Sequence, residues 1–256
     1  MSDSWFREQL TYLKGRKGRR IEWPALLRRL AVEEFGRIQH DGQPYAGKKL
    51  LIDRDKLVRK HVDRPRNDEE LEVYRLYKNV HERHGGLVKL GGKPIWLVTC
   101  QVPNQGKAKG RRADLLGMRL DGSLVIFECK VGSNKSDSPL SAMLEGLDYL
   151  AHLLTPANLK KMQMDLNDWM AKERGSDALS VVPSNFKDVK INAKATHAVI
   201  VLAPQGYYDI HISDSKKVAQ QWSLLSDRQG LCERSSLEMD FAVVNYKNGA
   251  VEPLKI

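Results

Sequence analysis

Residues 111–132 constrain the fold more than any other stretch of the chain. Two segments rich in apolar residues flank Asp121-Gly122, and this dipeptide between such segments is a strong signal for a β-hairpin. The second segment, residues 124–127, is apolar on both faces, which is typical of a central strand that is covered on both sides. The stretch therefore predicts a strand pair inside a sheet.

Charged side chains follow directly after the apolar part of the second strand. Glu128 and Lys130 are two residues apart, so both should point to the face that Leu124 and Ile126 share. Cys129 should point to the opposite face. Ionised groups at the end of a buried strand destabilise the fold unless they are paired with other charges or serve a function such as metal binding. These charges therefore mark a candidate functional site.

The length of the hairpin loop decides which residue lies opposite Glu128. A three-residue loop over 120–122, with its glycine in the left-handed conformation, places Asp114 there. A two-residue loop would place Asp114 opposite Cys129 and turn its side chain away. We favour the three-residue loop because it gathers Asp114, Glu128 and Lys130 on one face, with the two acids about 4.5–5.5 Å apart at their β-carbons. Carboxylates that close repel each other, and a divalent cation would remove the repulsion.

These residues carry a resemblance to a known family. Asp114 on one strand, followed by Glu128-x-Lys130 on the next, resembles the PD-(D/E)XK nuclease superfamily. RecB-like members carry Gln-x-x-x-Tyr in the helix that follows, and here Glu145-x-x-x-Tyr149 keeps the spacing with glutamate in place of glutamine. The resemblance covers about residues 70–205. It implies an α/β fold of restriction-endonuclease type, a mixed β-sheet flanked by helices.

The resemblance also implies a metal-dependent catalytic centre. Asp114, Glu128 and the backbone carbonyl of Cys129 would ligate Mg²⁺ or Mn²⁺, which are hard cations that prefer oxygen ligands. Lys130 would orient or deprotonate the attacking water, or stabilise the charge of the transition state.

Helices on either side of the hairpin supply further candidates. Glu145 would hold a second cation or part of its water shell, and Tyr149 would donate a hydrogen bond near the site. Some superfamily members place another acid in the helix before the sheet. Glu69, Glu70 and Glu72 are open alternatives for that role, because acids at a helix start also complement the helix dipole.

The net charge of +10 is concentrated in the N-terminal quarter of the chain. Residues 1–66 contain 17 Lys and Arg against 9 Asp and Glu, a net of +8. Such asymmetry favours a polyanionic partner, although solvated connecting loops are the alternative explanation. The candidate nucleic-acid contacts are Arg16, Lys17, Arg19 and Arg20 in a first basic loop and Lys107, Lys109, Arg111 and Arg112 in a second.

Two regions are expected, a basic helical region over 1–66 and a nuclease-like domain over 67–256. Helical patterns in the first region would form either a DNA-binding module or an extension packed on the core, and we prefer the extension because no recognition helix is evident. The elements expected in the second are a helix 69–84, a strand 94–102, the hairpin, a helix beginning at Pro139, a helix 157–174, a strand 196–202, a helix 215–226 and a strand 241–246.

Other functional classes fit the chain poorly. Three scattered cysteines give no zinc spacing and no disulfide framework. No apolar run approaches the ~18 residues that span a membrane, and the N-terminus lacks a signal-peptide pattern. We therefore expect a cytoplasmic protein that does not act in a membrane.

The expected function is Mg²⁺-dependent hydrolysis of phosphodiester bonds in nucleic acid. DNA is the expected substrate, and the expected role is in repair, restriction or defence. A catalytically inactive nucleic-acid-binding protein that keeps the nuclease fold is the alternative. The intact acid pair and lysine favour the enzyme. A homodimer and a monomer are both open.

Overall fold

The computed structural model describes residues 51, 68–103, 112–173, 182–212 and 237–254. The expected boundary near residue 66, the helix expected at 215–226 and all of the first basic loop lie outside these ranges. So does the second basic loop, except for Arg112. No helix in the described ranges is long and apolar enough to cross a membrane.

The described residues form a seven-stranded mixed sheet with helices on both faces. The sheet follows chain order, with parallel pairing only between β4 and β5 and between β5 and β6. This confirms the predicted α/β class. The strands are β1 (Leu87–Leu90), β2 (Lys93–Pro103), β3 (Arg112–Met118), β4 (Leu124–Cys129), β5 (His197–Ala203), β6 (Leu237–Asn245) and β7 (Ala250–Pro253). The helices are α1 (Asp68–His84), α2 (Pro139–Leu153), α3 (Pro156–Glu173) and α4 (Gln205–Ile212).

The hairpin has the predicted register. Leu116 pairs with Ile126 and Met118 pairs with Leu124. Gly122 has a φ of 79°, the left-handed conformation that the three-residue loop requires. The prediction of that loop is therefore confirmed. Asp114, near the start of β3, and the charged end of β4 consequently lie at the same end of these paired strands.

The two edge strands, β1 and β7, were not predicted, and neither was α4. The expectation that the sheet begins near Pro94 and ends near Tyr246 is therefore wrong. β1 turns into β2 through Gly91-Gly92, and Gly249 precedes β7. Each edge strand has only four residues, which is too short for an alternating pattern to stand out, although both glycine turns were available as signals.

Each face of the sheet has its own apolar core. On one face α1 packs with the stripe that the sequence predicts, namely Val73, Leu76, Tyr77 and Val80, all buried. On the other face α2 packs with Met143, Leu144, Leu147 and Leu150. All six residues of β4 are buried, as expected of a central strand. The acidic end of this strand is therefore withdrawn from water.

Gly146 allows α2 to lie close against the sheet above the site. A β-carbon at this position would collide with Cγ1 of Val199 on β5 and would lie 3.7 Å from Cβ of Glu128 on β4. The missing side chain thus sets the height of α2 over the end of β4. Glu145, one residue earlier in α2, reaches Lys130 just beyond that end.

We expect Gly146→Ala to destabilise the protein by about 1–3 kcal/mol, because overpacking forces the helix or the strand to move. Gly206→Ala in α4 is the matched control, since a β-carbon there meets no atom within 4 Å. Alanine is the better helix former by roughly 1 kcal/mol, so the control should be neutral or slightly stabilised. Denaturant unfolding of both variants measures the difference. Equal stability of the two variants would mean that α2 does not touch β5 at Gly146.

Candidate active site

A cavity of about 240 Å³ opens at the end of the sheet where β3 begins and β4 finishes. Ten residues line it, of which six are acidic and two, Arg112 and Lys130, are basic. The acids are Glu69, Glu70, Asp114, Glu128, Asp137 and Glu145. With all of them ionised, the lining has a large excess of negative charge. A phosphodiester would be repelled from this cavity unless a cation entered with it.

The five residues predicted to be catalytic all line this cavity. Asp114 comes from β3, Glu128 lies at the end of β4 with Lys130 just beyond it, and Glu145 and Tyr149 lie on one face of α2. The helix begins as expected, with Ser138 as its N-cap and Pro139 in its first turn. The structure therefore brings together every predicted catalytic side chain.

Asp114 is held by neutral donors. The backbone N–H of Cys129 donates to its Oδ2 at 2.9 Å, and Nε2 of Gln101 donates to its Oδ1 at 3.3 Å. No ion pair joins Asp114 to a basic side chain within the described ranges. Burial raises the pKa of Asp114 to about 7, and the charge of Lys130 opposes this only in part.

Lys130 lies among three other carboxylates. Its Nζ is 2.8 Å from Oε1 of Glu128, 3.1 Å from Oε2 of Glu145 and 3.8 Å from Oε1 of Glu69. Burial lowers the pKa of Lys130, but the surrounding carboxylates outweigh burial and hold that pKa well above its usual value. Lys130 is therefore held as an ammonium group that three carboxyl groups share.

Glu128 has one oxygen without a partner. The side chain is buried, with 3% of the residue exposed, and its Oε2 has no hydrogen-bond partner among the described residues. Burial raises the pKa of Glu128 well above its usual value, although Lys130 opposes the effect. Buried polar atoms are nearly always paired, so an unpaired carboxylate oxygen at a cavity commonly marks the place of an ion or a water.

The residues that line the cavity fit a hard divalent cation. They offer buried carboxylate oxygens, an unpaired oxygen on Glu128 and an acid, Asp114, that no described basic side chain neutralises. In the parts of the chain that the structure describes, no three His, Cys, Asp or Glu side chains are arranged to hold a metal ion. The ligand set implied by the resemblance contains only two side chains and the carbonyl of Cys129, so it would not form such a group.

The structure separates the three acids at the start of α1. Glu69 reaches Lys130, and Glu70 lines the cavity and accepts a hydrogen bond from Oη of Tyr74 at 3.5 Å. Glu72 instead forms an ion pair of 2.7 Å with Arg75, outside the lining of the cavity. Burial raises the pKa of Glu69, whose side chain is 27% exposed, and the charge of Lys130 opposes this rise.

Two lining residues, Gln101 and Asp137, were missed by the sequence analysis. Gln101 lies near the end of β2, and its proximity to Asp114 follows only from the register of β2 against β3. Asp137 lies one residue before the cap of α2, in a segment that the sequence suggested only as the start of a helix. The predicted nucleic-acid contacts other than Arg112 lie outside the described residues.

Comparisons of the chain with protein-family models, with curated proteins and with solved structures found no match. The fold and the cavity define the class of protein as an α/β protein with a mixed sheet and an acidic cavity at the ends of its central strands.

Proposed function

We propose that the protein is a metal-dependent nuclease of the PD-(D/E)XK type with a restriction-endonuclease-like fold. Its proposed substrate is nucleic acid, with DNA as the first candidate and RNA as the alternative. One observation carries this proposal. Asp114 and Glu128 lie on adjacent strands at one open cavity with Lys130 beside them, in a lining that contains six acidic and two basic side chains. A role in repair, restriction or defence would suit such an activity.

Asp114, Glu128 and the backbone carbonyl of Cys129 would hold Mg²⁺ or Mn²⁺. When bound, such a cation lowers the pKa of a coordinated water and polarises the phosphoryl oxygens. The neutral donors on Asp114 support this assignment, because they orient the carboxylate and add no positive charge that would compete with a cation. The unpaired oxygen of Glu128 supports it as well.

Lys130 would stabilise negative charge as a hydrogen-bond donor. The carboxylates around it hold its pKa well above the usual value, so it is a poor general base at neutral pH. Of the roles that the resemblance implies, orientation of the water and stabilisation of the transition state are therefore favoured over deprotonation. Glu145 and Glu69 would fix the position of the ammonium group through their ion pairs with it.

Tyr149 and Arg112 would contact the substrate. Burial raises the pKa of Tyr149 far above its usual value, so its hydroxyl keeps its proton and can donate to a phosphate oxygen. Arg112 lies at the start of β3 on the lining of the cavity, where a guanidinium group can bind a phosphate with two hydrogen bonds. Such contacts position the backbone of a nucleic acid and carry no sequence information.

A cleavage assay on four substrates tests the proposal. Supercoiled, linear double-stranded and single-stranded DNA and RNA are incubated with the purified protein in Mg²⁺ and, separately, in excess EDTA. We expect cleavage of DNA in Mg²⁺ and none in EDTA. Full activity in EDTA would contradict metal dependence. Tight binding of nucleic acid without cleavage of any substrate would favour the inactive binding protein instead.

The first basic loop should contribute to affinity for nucleic acid. We expect neutralisation of Arg16, Lys17, Arg19 and Arg20 to weaken binding and to flatten the slope of log affinity against log salt, by roughly 0.9 for each duplex phosphate that the variant no longer touches. Binding titrations at several salt concentrations measure the slope. The control neutralises four exposed lysines that do not line the cavity, namely Lys160, Lys187, Lys190 and Lys194. A slope changed equally by both sets would mean that the loop has no special contact with phosphate.

A further inference from the structure

Gln101 has an unusual backbone conformation. Its φ is 54°, and no other described residue except glycine has a positive φ. Residues with a β-carbon rarely adopt this left-handed conformation, and such strain persists where the surrounding structure enforces it, commonly at functional sites. Gln101 lies inside β2 and not in a turn, so chain reversal does not explain the strain.

The conformation coincides with a contact to Asp114. Cys100 pairs with Leu115 and Val102 pairs with Ala113 in the ladder between β2 and β3, so Gln101 and Asp114 lie between these two pairs. From there Nε2 of Gln101 donates to Oδ1 of Asp114 at 3.3 Å. The side chain of Gln101 is buried, with 8% of the residue exposed, and it lines the cavity.

The acids of the cavity receive two different kinds of donor. Lys130 forms ion pairs with Glu128 and Glu145, and these partly neutralise both carboxylates. Asp114 receives only the amide of Gln101 and a backbone N–H among the described residues. A neutral donor fixes the orientation of a carboxylate without cancelling its charge. A lysine or arginine in the place of Gln101 would compete with a bound cation.

We propose that Gln101 is a positioning residue of the metal centre, whose strained backbone directs its amide onto Asp114 and so orients that carboxylate toward the cation. This role rests on the proposed function. Partners that hydrogen-bond to metal ligands typically change metal affinity by 10–100-fold when they are removed.

Titration of the 256-residue chain with Mn²⁺, followed by calorimetry, tests this role. We expect Gln101→Gly to raise the Mn²⁺ dissociation constant roughly 10–100-fold. Its melting temperature in EDTA should stay within a few degrees of wild type, because glycine relieves the strain while one hydrogen bond is removed. Gln101→Asn keeps an amide and tolerates a positive φ, so it should recover part of the affinity.

Gln205→Ala is the matched control. Nε2 of Gln205 also donates to a carboxylate, Oδ1 of Asp209 at 2.9 Å, but on the exposed surface of α4. This variant should bind Mn²⁺ as wild type does.

The outcomes separate the two proposals. If wild type takes up no Mn²⁺, the metal centre itself is wrong and the role of Gln101 falls with it. If wild type binds Mn²⁺ and Gln101→Gly binds it equally well, only the role of Gln101 is wrong. A large fall in the melting temperature of Gln101→Gly in EDTA would show that Gln101 is a structural residue and would also overturn the inference.

Discussion

Glu128→Gln is expected to reduce Mg²⁺-dependent cleavage by about a thousandfold or more while the protein still folds. The substitution keeps the shape of the side chain and removes the charge that would hold the cation. A catalytic cation contributes several kcal/mol to the transition state, and each 1.36 kcal/mol is tenfold in rate. Lys130 keeps its ion pairs with Glu145 and Glu69, so the ammonium group should stay in place.

Single-turnover cleavage of DNA by both proteins, purified in parallel, measures the effect. Glu72→Gln is the control, because this acid lies near the start of α1 but forms its ion pair with Arg75, away from the cavity. It should cleave at the wild-type rate. Near-wild-type activity of Glu128→Gln would remove Glu128 from the catalytic centre, and a parallel loss in Glu72→Gln would point to a nonspecific cause.

Asp114→Asn is expected to separate stability from metal binding. In EDTA this variant should melt at or above wild type, because it removes a buried charge that no described basic side chain neutralises. The amide of Gln101 can rotate by half a turn and accept a hydrogen bond from the new amide group, while Cys129 N–H still donates to the remaining oxygen. In Mg²⁺ at a hundredfold excess over the dissociation constant, wild type should gain about 2.7 kcal/mol, and the variant should lose most of this gain.

The difference in stability between Asp114→Asn and wild type should depend on pH. The pKa of Asp114 in the folded protein is raised by burial to about 7, above its unfolded value. The contribution of this pKa shift to the free energy of unfolding is therefore fully present below the unfolded pKa. It is lost as the pH rises through about 7. The advantage of Asp114→Asn in EDTA should accordingly be larger at about pH 8 than at about pH 5.

Thermal melts of the two proteins at both pH values, with Mg²⁺ and with EDTA, measure these differences. If Asp114→Asn melts clearly below wild type in EDTA at the higher pH, Asp114 is a structural acid with a native partner. An equal Mg²⁺-induced shift in both proteins would place the metal elsewhere.

The hairpin was predictable because several local signals agree. Asp121-Gly122 sets the turn, the apolar pattern sets the buried faces, and the charges select the register. The observed pairing of β3 with β4 confirms that register. The start of α2 was predictable for the same reason, since Ser138 and Pro139 form a familiar cap.

Features that depend on long-range packing were not predictable. The choice between Glu69, Glu70 and Glu72 depends on how α1 lies across the sheet, which its own sequence does not encode. The left-handed conformation of Gln101 also has no signal in residue type, since glutamine does not favour a positive φ. Contacts made across the sheet, and not local propensity, determine both features.

Anomalous diffraction from a crystal soaked in Mn²⁺ is a direct test of the proposed metal centre, because it locates the cation without reference to activity. We expect a peak in the cavity, with Asp114, Glu128 and the carbonyl oxygen of Cys129 as ligands at about 2.0–2.6 Å, the range of hard cations with oxygen ligands. The peak should be absent from a crystal of Asp114→Asn soaked in the same way. An empty cavity in wild type, or a peak held by other residues, would contradict the proposed metal centre.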